Sequence, residues 1–196
     1  MAQVTGTKRL IFDAALALAA ERGISGTTMD DVAVRAGVAK GSLYYNFASK
    51  DKIFEGLLSE GMAALTEALR SARTGLHGWA AIEALVTTLL CRIAGNTALA
   101  KVMAGDIFRT DRAWQETSFA FRHQALAEFA AAIEEAVPTE AGDGGVTGLM
   151  ASSVFGATLM AGLEWLIFEP DRPQPEVVAA VLATFSGRLN PTPGIR

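Results

Sequence analysis

The stretch Thr28-Met-Asp-Asp-Val-Ala-Val-Arg-Ala-Gly-Val-Ala-Lys-Gly-Ser-Leu-Tyr-Tyr-Asn-Phe47 decides the fold. It reads as two short helices, Thr28 to about Ala36 and Lys40 to Asn46, separated by the tight turn Gly37-Val38-Ala39. Gly37 can take the left-handed conformation that stops the first helix. Thr28 can cap that helix, with Asp31 at the third position of a capping box. Val32, Ala33, Val38 and Leu43 supply apolar contacts that hold the two helices at an angle, and Ala33 is small where they must approach. Two short helices joined by a glycine-containing turn form a helix-turn-helix.

Working outward, punctuation sets the other boundaries. Thr7 to Arg22 is one helix, with Ile11, Ala15, Leu18 and Ala19 on one face and Gly23 just past its end. Ala48-Ser49 restarts the chain into a long helix, Lys50 to about Arg73. Trp79–Ala94, Leu99–Phe108 and Ala113–Val137 follow as helices, then a loop at Pro138–Gly145 and an apolar helix Thr147–Phe168. Pro170 to Pro175 is a break, and Glu176–Leu189 is a last amphipathic helix with Val177, Val181, Leu182 and Phe185 on one face. No stretch reads as a strand. The expected fold is all-α: a three-helix, homeodomain-like helix-turn-helix domain over residues 5–55, then a larger helical body over 56–189, with the long linking helix continuing to about 73.

Composition supports a packed core. Of 196 residues, 51% are hydrophobic and 19% charged, which argues against disorder. The net charge of −4 hides an asymmetry. Residues 1–55 carry seven Lys/Arg against six acids, and residues 56–196 carry ten against fifteen. A mildly positive head on an acidic body suits a reader of specific DNA sites and excludes a sequence-indifferent nucleic-acid coat. Cys91, the only cysteine, allows no intrachain disulfide and reads as a small buried hydrophobe in a reducing cytoplasm.

Two segments imitate membrane signals. Lys8-Arg9 followed by Leu10–Ala20 has the outline of a signal peptide, but Asp13 interrupts it. Val146–Phe168 is long enough to span a bilayer. Its Glu164 would need a partner there, and basic anchors are missing at Glu140–Asp143. A dry helix between protein surfaces accounts for the same pattern, so no membrane partner is expected.

The head carries the chemistry. Lys40, Lys50 and Lys52 sit in first turns of helices, where cations oppose the helix dipole at a cost of about 0.3–1 kcal/mol each. Facing a phosphate backbone, the same lysines and the adjacent amides would bind anions together. Tyr44 and Tyr45 are adjacent and cannot share a face. Half-buried packing and hydroxyls reaching DNA are equally open for them, whereas Phe47 reads as the core aromatic. Gly41 would let the helix approach DNA closely.

At these residues the chain resembles the tetracycline-repressor (TetR) family of regulators. The pattern is Thr27-Thr28-Met, Val32-Ala33, Ala36-Gly37-Val38, Lys40-Gly41-Ser42-Leu43-Tyr44-Tyr45, Phe47, Ser49-Lys50 and Ile53-Phe54, and it covers about the first 55 residues. The resemblance implies that Lys40 to Asn46 is a recognition helix in the major groove. It implies DNA contacts by Thr28, Lys40, Gly41, Tyr44, Tyr45 and Lys50, mostly to phosphates, to which Ser42 and Asn46 of the same helix are added. Two positions depart from the pattern. Ala39 stands where Ser or Thr is common, so a helix cap is missing. Asn46 stands where His is common, and Asn can pair with adenine or a phosphate.

One recognition helix reads few base pairs, so a homodimer on a palindromic operator is expected. Thr147–Phe168 and Glu176–Phe185 are the candidate interface, with Ser152, Phe155, Gly156, Leu159, Leu163, Val181 and Phe185 facing a partner in a four-helix arrangement. Met103, Phe108, Trp114, Phe119, His123 and Met150, with Asp106 and Arg109 as polar groups, are candidates to line an apolar effector cavity. Such an effector would be small, partly apolar and weakly charged at most. Its binding would favour a spacing of the two heads that no longer fits the half-sites. A regulator or architectural DNA-binding protein without a ligand is the alternative. His77 and His123 have no Cys partner and no metal-site spacing, and neither a phosphate loop nor a nucleophile elbow is present, so no catalytic residue, metal or cofactor is expected.

Overall fold

The computed structural model describes residues 6–106, 115–136 and 144–189. Among them are nine α-helices and no strand. The chain divides into two compact units. The first holds residues up to Gly61 together with Ala98–Ala120, and the second holds Met62–Thr97 and residues from Phe121 onward.

The first unit is built on α1 (Gly6–Arg22), α2 (Met29–Ala36) and α3 (Lys40–Asn46), with the start of α4 (Lys50–Ala72) and α6 (Thr97–Asp106). α1 buries Ile11, Phe12, Ala14, Ala15, Leu18 and Ala19. It stops at Gly23, whose φ of +77° is open to glycine and strained for other residues. Val32 and Ala33 of α2, Leu43 of α3, Phe47, and Ile53 and Phe54 of α4 complete the core. Phe12 and Phe47 meet with ring centroids 5.3 Å apart, so Phe47 is the core aromatic, as its position predicts. Met103, expected at a ligand cavity, packs instead against this core.

The second unit contains the end of α4, α5 (Gly78–Gly95), the later part of α7 (Gln115–Ala136), α8 (Gly144–Phe168) and α9 (Gln174–Leu189). Backbones approach closely among α5, α8 and α9. The approach of α5 to α8 depends on Gly162, because a Cβ there would lie 2.9 Å from Ile93 and 3.0 Å from Leu90. On α7, Ala125, Glu128, Phe129, Ala132 and Ile133 are buried, at helical spacing. Phe129 meets Phe155 of α8 edge to face at 5.8 Å. Trp165 Nε1 donates to Arg172 O at 2.8 Å and pins the α8–α9 turn.

Three expectations are corrected here. Pro175 belongs to α9 and not to the break before it, because a first-turn residue has no intrahelical N–H bond to lose. Cys91 is exposed and not a core residue; its Sγ accepts from Gln174 Nε2 at 3.0 Å. On α8 and α9, Phe155, Leu163 and Val181 are buried within the subunit itself. Ser152, Gly156, Leu159 and Phe185 are half-buried. The open face of α8 is instead formed by Leu149, Met160, Ile167 and Phe168, which are 70%, 63%, 44% and 68% exposed. The core and open faces of this helix are both apolar, so periodicity alone could not assign them.

By length and composition α5 and α8 could each cross a membrane. In this fold each turns part of its surface into the core of the second unit.

Candidate nucleic-acid interface

The helix-turn-helix forms as its residues dictate. Thr28 has extended backbone and caps α2, its Oγ1 accepting from the Asp31 N–H at 3.2 Å. Asp31 Oδ2 accepts in return from the Thr28 N–H at 3.2 Å and the Thr28 hydroxyl at 2.6 Å. Arg22 of α1 reaches the same carboxylate at 2.6 Å. These bonds, the Thr28 hydroxyl first and then the backbone N–H and Arg22, hold the Asp31 carboxyl below its usual pKa. Gly37 closes α2 with φ +65°; its own N–H donates to Val34 O at 3.2 Å and the Val38 N–H donates to Ala33 O at 3.1 Å. α3 then starts at Ala39, where no side chain caps it.

α3 turns Leu43 fully into the core. Two residues on, 200° around the helix, Tyr45 points outward and is 91% exposed. Tyr44 lies on the flank at 46%. The Leu43–Tyr45 offset carried this signal in the sequence, although adjacency of the two tyrosines did not decide it. The helix contains no acidic residue. A Cβ on Gly41 would meet nothing within 4 Å. The glycine is therefore not required by the packing of this chain. Val34 on α2 is 83% exposed, a feature that sequence reading missed.

The lysines are less free than their positions implied. Lys40 Nζ lies 2.7 Å from Asp30, which raises the Lys40 pKa, the hydrogen bond contributing more than charge alone. Lys52 Nζ lies 2.6 Å from Glu55. Lys50 Nζ donates to the carbonyls of Ile24 at 3.1 Å and Ser25 at 3.4 Å, and so ties the α1–α2 turn to the start of α4. Each cation has an intramolecular partner, so opposition to the helix dipole is offset locally and is a weaker sign of DNA than it was in sequence. Asn46 Nδ2 donates to Ser42 O at 2.8 Å. The exposed pairs can exchange partners for phosphates at small cost, because surface ion pairs contribute only about 0–1 kcal/mol.

Thr28, Lys40, Gly41, Ser42, Tyr44, Tyr45 and Asn46 therefore lie on α3 and the start of α2, whereas Lys50 is held on the carbonyls of the α1–α2 turn. The residues expected at an effector cavity are not gathered this way. Phe108, Arg109 and Trp114 lie outside the described residues, as does the side chain of Asp106. Phe119 and His123 are exposed and Met150 is half-buried. Among the described residues no cluster of His, Cys, Asp and Glu could hold a metal.

The family model for bacterial regulatory proteins of the tetR family matches residues 11–57, the segment just described. The chain is 41% identical over 88 residues to the HTH-type transcriptional repressor KstR2 of Rhodococcus jostii, and the match covers 43% of this chain and 42% of that protein. The matched segment is thus less than half the length of that relative. The fold as a whole resembles the fatty acid degradation regulator FadR of Bacillus halodurans, with a TM-score of 0.79, 19% identity, and coverage of 96% of this chain and 98% of that one. It also resembles FadR of Bacillus subtilis, solved in complex with stearoyl-CoA, with a TM-score of 0.75, 20% identity, and coverage of 89% and 95%. The helix-turn-helix geometry and the matching family model together identify residues 11–57 as a helix-turn-helix of the tetR family of bacterial regulatory proteins.

Proposed function

We propose that the chain is a transcriptional repressor that reads a palindromic operator in double-stranded DNA as a homodimer and is released by a small, partly apolar effector. DNA binding is assigned to about residues 5–55, and effector binding and dimerisation to 56–189. The observation that carries the reading is the outer surface of α3. Tyr45 is almost fully exposed, Gly41 has open space beside it, and no carboxylate is present to repel phosphate. Folding alone has no use for an exposed tyrosine and a helical glycine, which costs about 0.5–1 kcal/mol relative to alanine. Close approach of a groove to α3 uses both.

Dimerisation is supported by the open apolar face of α8, which Gly148 and Gly156 punctuate with open space. An apolar effector is supported by the surplus of apolar residues in the body and by the stearoyl-CoA held by the B. subtilis FadR structure. The protein would act in the cytoplasm, where the DNA is.

Gly41→Ala tests the interface directly. A duplex selected from a random library by the wild-type protein is titrated with both forms. The variant should be as stable as wild type or slightly more so, and should bind at least tenfold more weakly. Equal affinity would remove the close approach at α3. Met160→Glu should shift the sedimentation of the protein from dimer to monomer, and an unchanged dimer would remove the α8 face from the interface.

A further inference from the structure

Among its described residues, the second unit holds one buried side-chain polar atom that folding leaves unused. Thr66 of α4 is 3% exposed, and its Oγ1 has no hydrogen-bond partner. A helical threonine normally satisfies itself on the carbonyl four residues back. In this chain Thr87, Thr158 and Thr184 all do so, at 2.7 to 3.1 Å. Thr158 is fully buried like Thr66, and it too is satisfied this way. Thr66 departs from this rule, and an unmade bond at a buried hydroxyl is a standing cost.

Its surroundings indicate what would complete the bond. Thr66 and Arg70 lie four residues apart on one face of α4, and Arg73 follows just past its end. Arg70 and Arg73 both donate to the buried Glu128 of α7, at 3.2 and 2.7 Å. His77, at the start of α5, meets Glu135 of α7 at 3.2 Å. The closest backbone packing in the unit is among α5, α8 and α9, whereas α4 meets α7 through these long ionic side chains. The neighbouring ionic layer already sets two guanidinium groups against Glu67, Glu128 and Glu135, so an added anion would be repelled.

We propose that Thr66 is the polar anchor of a small-molecule site in the second unit, and that it takes a neutral carbonyl or hydroxyl oxygen on an otherwise apolar molecule. The assignment rests on the effector reading above and specifies the group that is recognised.

The test uses three probes with one carbon skeleton: ethylbenzene, acetophenone and 1-phenylethanol, at equal concentration, with full-length wild type and Thr66→Val. Val keeps the shape and removes the hydroxyl. Without probe, Thr66→Val should melt about 2–4 °C higher, because the unsatisfied group is gone. Acetophenone and 1-phenylethanol should stabilise wild type more than ethylbenzene does, and Thr66→Val should respond equally to all three. If wild type responds equally to all three, a cavity exists but Thr66 is not its anchor. If no probe stabilises wild type, the anchor fails, whereas release of the selected duplex by any other small apolar compound would keep the effector reading. A lower melting temperature for Thr66→Val would mean that the hydroxyl is already satisfied in the folded protein, and would overturn the proposal.

Discussion

The two units use charge in opposite ways. In the helix-turn-helix unit the pairs Lys40–Asp30 and Arg35–Glu21 have side chains 44–65% exposed. In the second unit Glu128 has a side chain only 11% exposed and holds both Arg70 and Arg73. Exposed pairs are screened, contribute little and can be exchanged for other partners. A buried carboxylate cannot lose its partners without a large cost. The first arrangement suits a surface that must give its cations to something else. The second suits a framework that must hold the end of α4 to α7 while the core beside it keeps an unsatisfied hydroxyl.

The largest effect should come from breaking the buried pair from its cationic side. Arg73→Met leaves Glu128 with Arg70 alone, and should cost about 3 kcal/mol in urea unfolding. Glu128→Gln should cost less, about 1 kcal/mol, because Arg70 is mostly exposed and can rehydrate. If the two costs are equal, burial of the carboxylate is not what makes this network matter.

Next comes a contrast within the first unit. Lys50→Ala removes the ammonium from the Ile24 and Ser25 carbonyls and should lower stability by about 1 kcal/mol. Lys40→Ala should leave stability within about 0.5 kcal/mol of wild type. Both should reduce the slope of log affinity against log salt by about one unit on the selected duplex. A Lys50 variant that weakens folding but keeps the wild-type salt slope would make Lys50 a turn clamp only.

The smallest effect is in acid. The folded-state pKa of Asp31 is lowered from 3.8, so its contribution is full above that value and is lost as pH falls through it. Asp31→Asn should therefore be less stable than wild type at neutral pH, with the difference shrinking below about pH 4 as wild type loses the same interaction. Glu135, lowered first by the Gly78 N–H and then by His77 and Arg73, adds a loss in the same direction in both proteins. A stability difference that stays constant down to pH 2 would place the contribution of Asp31 outside the cap.

The helix-turn-helix was legible because its signals are local. A capping box needs Thr28 and Asp31 three residues apart, and a left-handed stop needs Gly37. Inward Leu43 and Phe47 leave Tyr45 outside by helical period. Each is settled within one or two turns of chain, so residue order alone determines the element, its ends and its exposed face. The partners of the lysines were not legible. The Ile24 and Ser25 carbonyls lie a full helix-turn-helix away from Lys50 in sequence, and only folding brings them together.

The body shows the same limit on a larger scale. Nothing in α8 distinguishes Phe155, which is buried in the core, from Met160, which lies outside it, because both faces are apolar. Sequence by itself determined that the regular elements are helices, where α2 and α3 begin and end, and that α3 presents a glycine and a tyrosine. Tertiary structure alone decided which face of α8 stays open, that Glu128 is shared by two arginines, and that Thr66 is left without a partner. The physical reason is range. Capping and periodicity act over about four residues, whereas burial and pairing depend on neighbours that are distant along the chain.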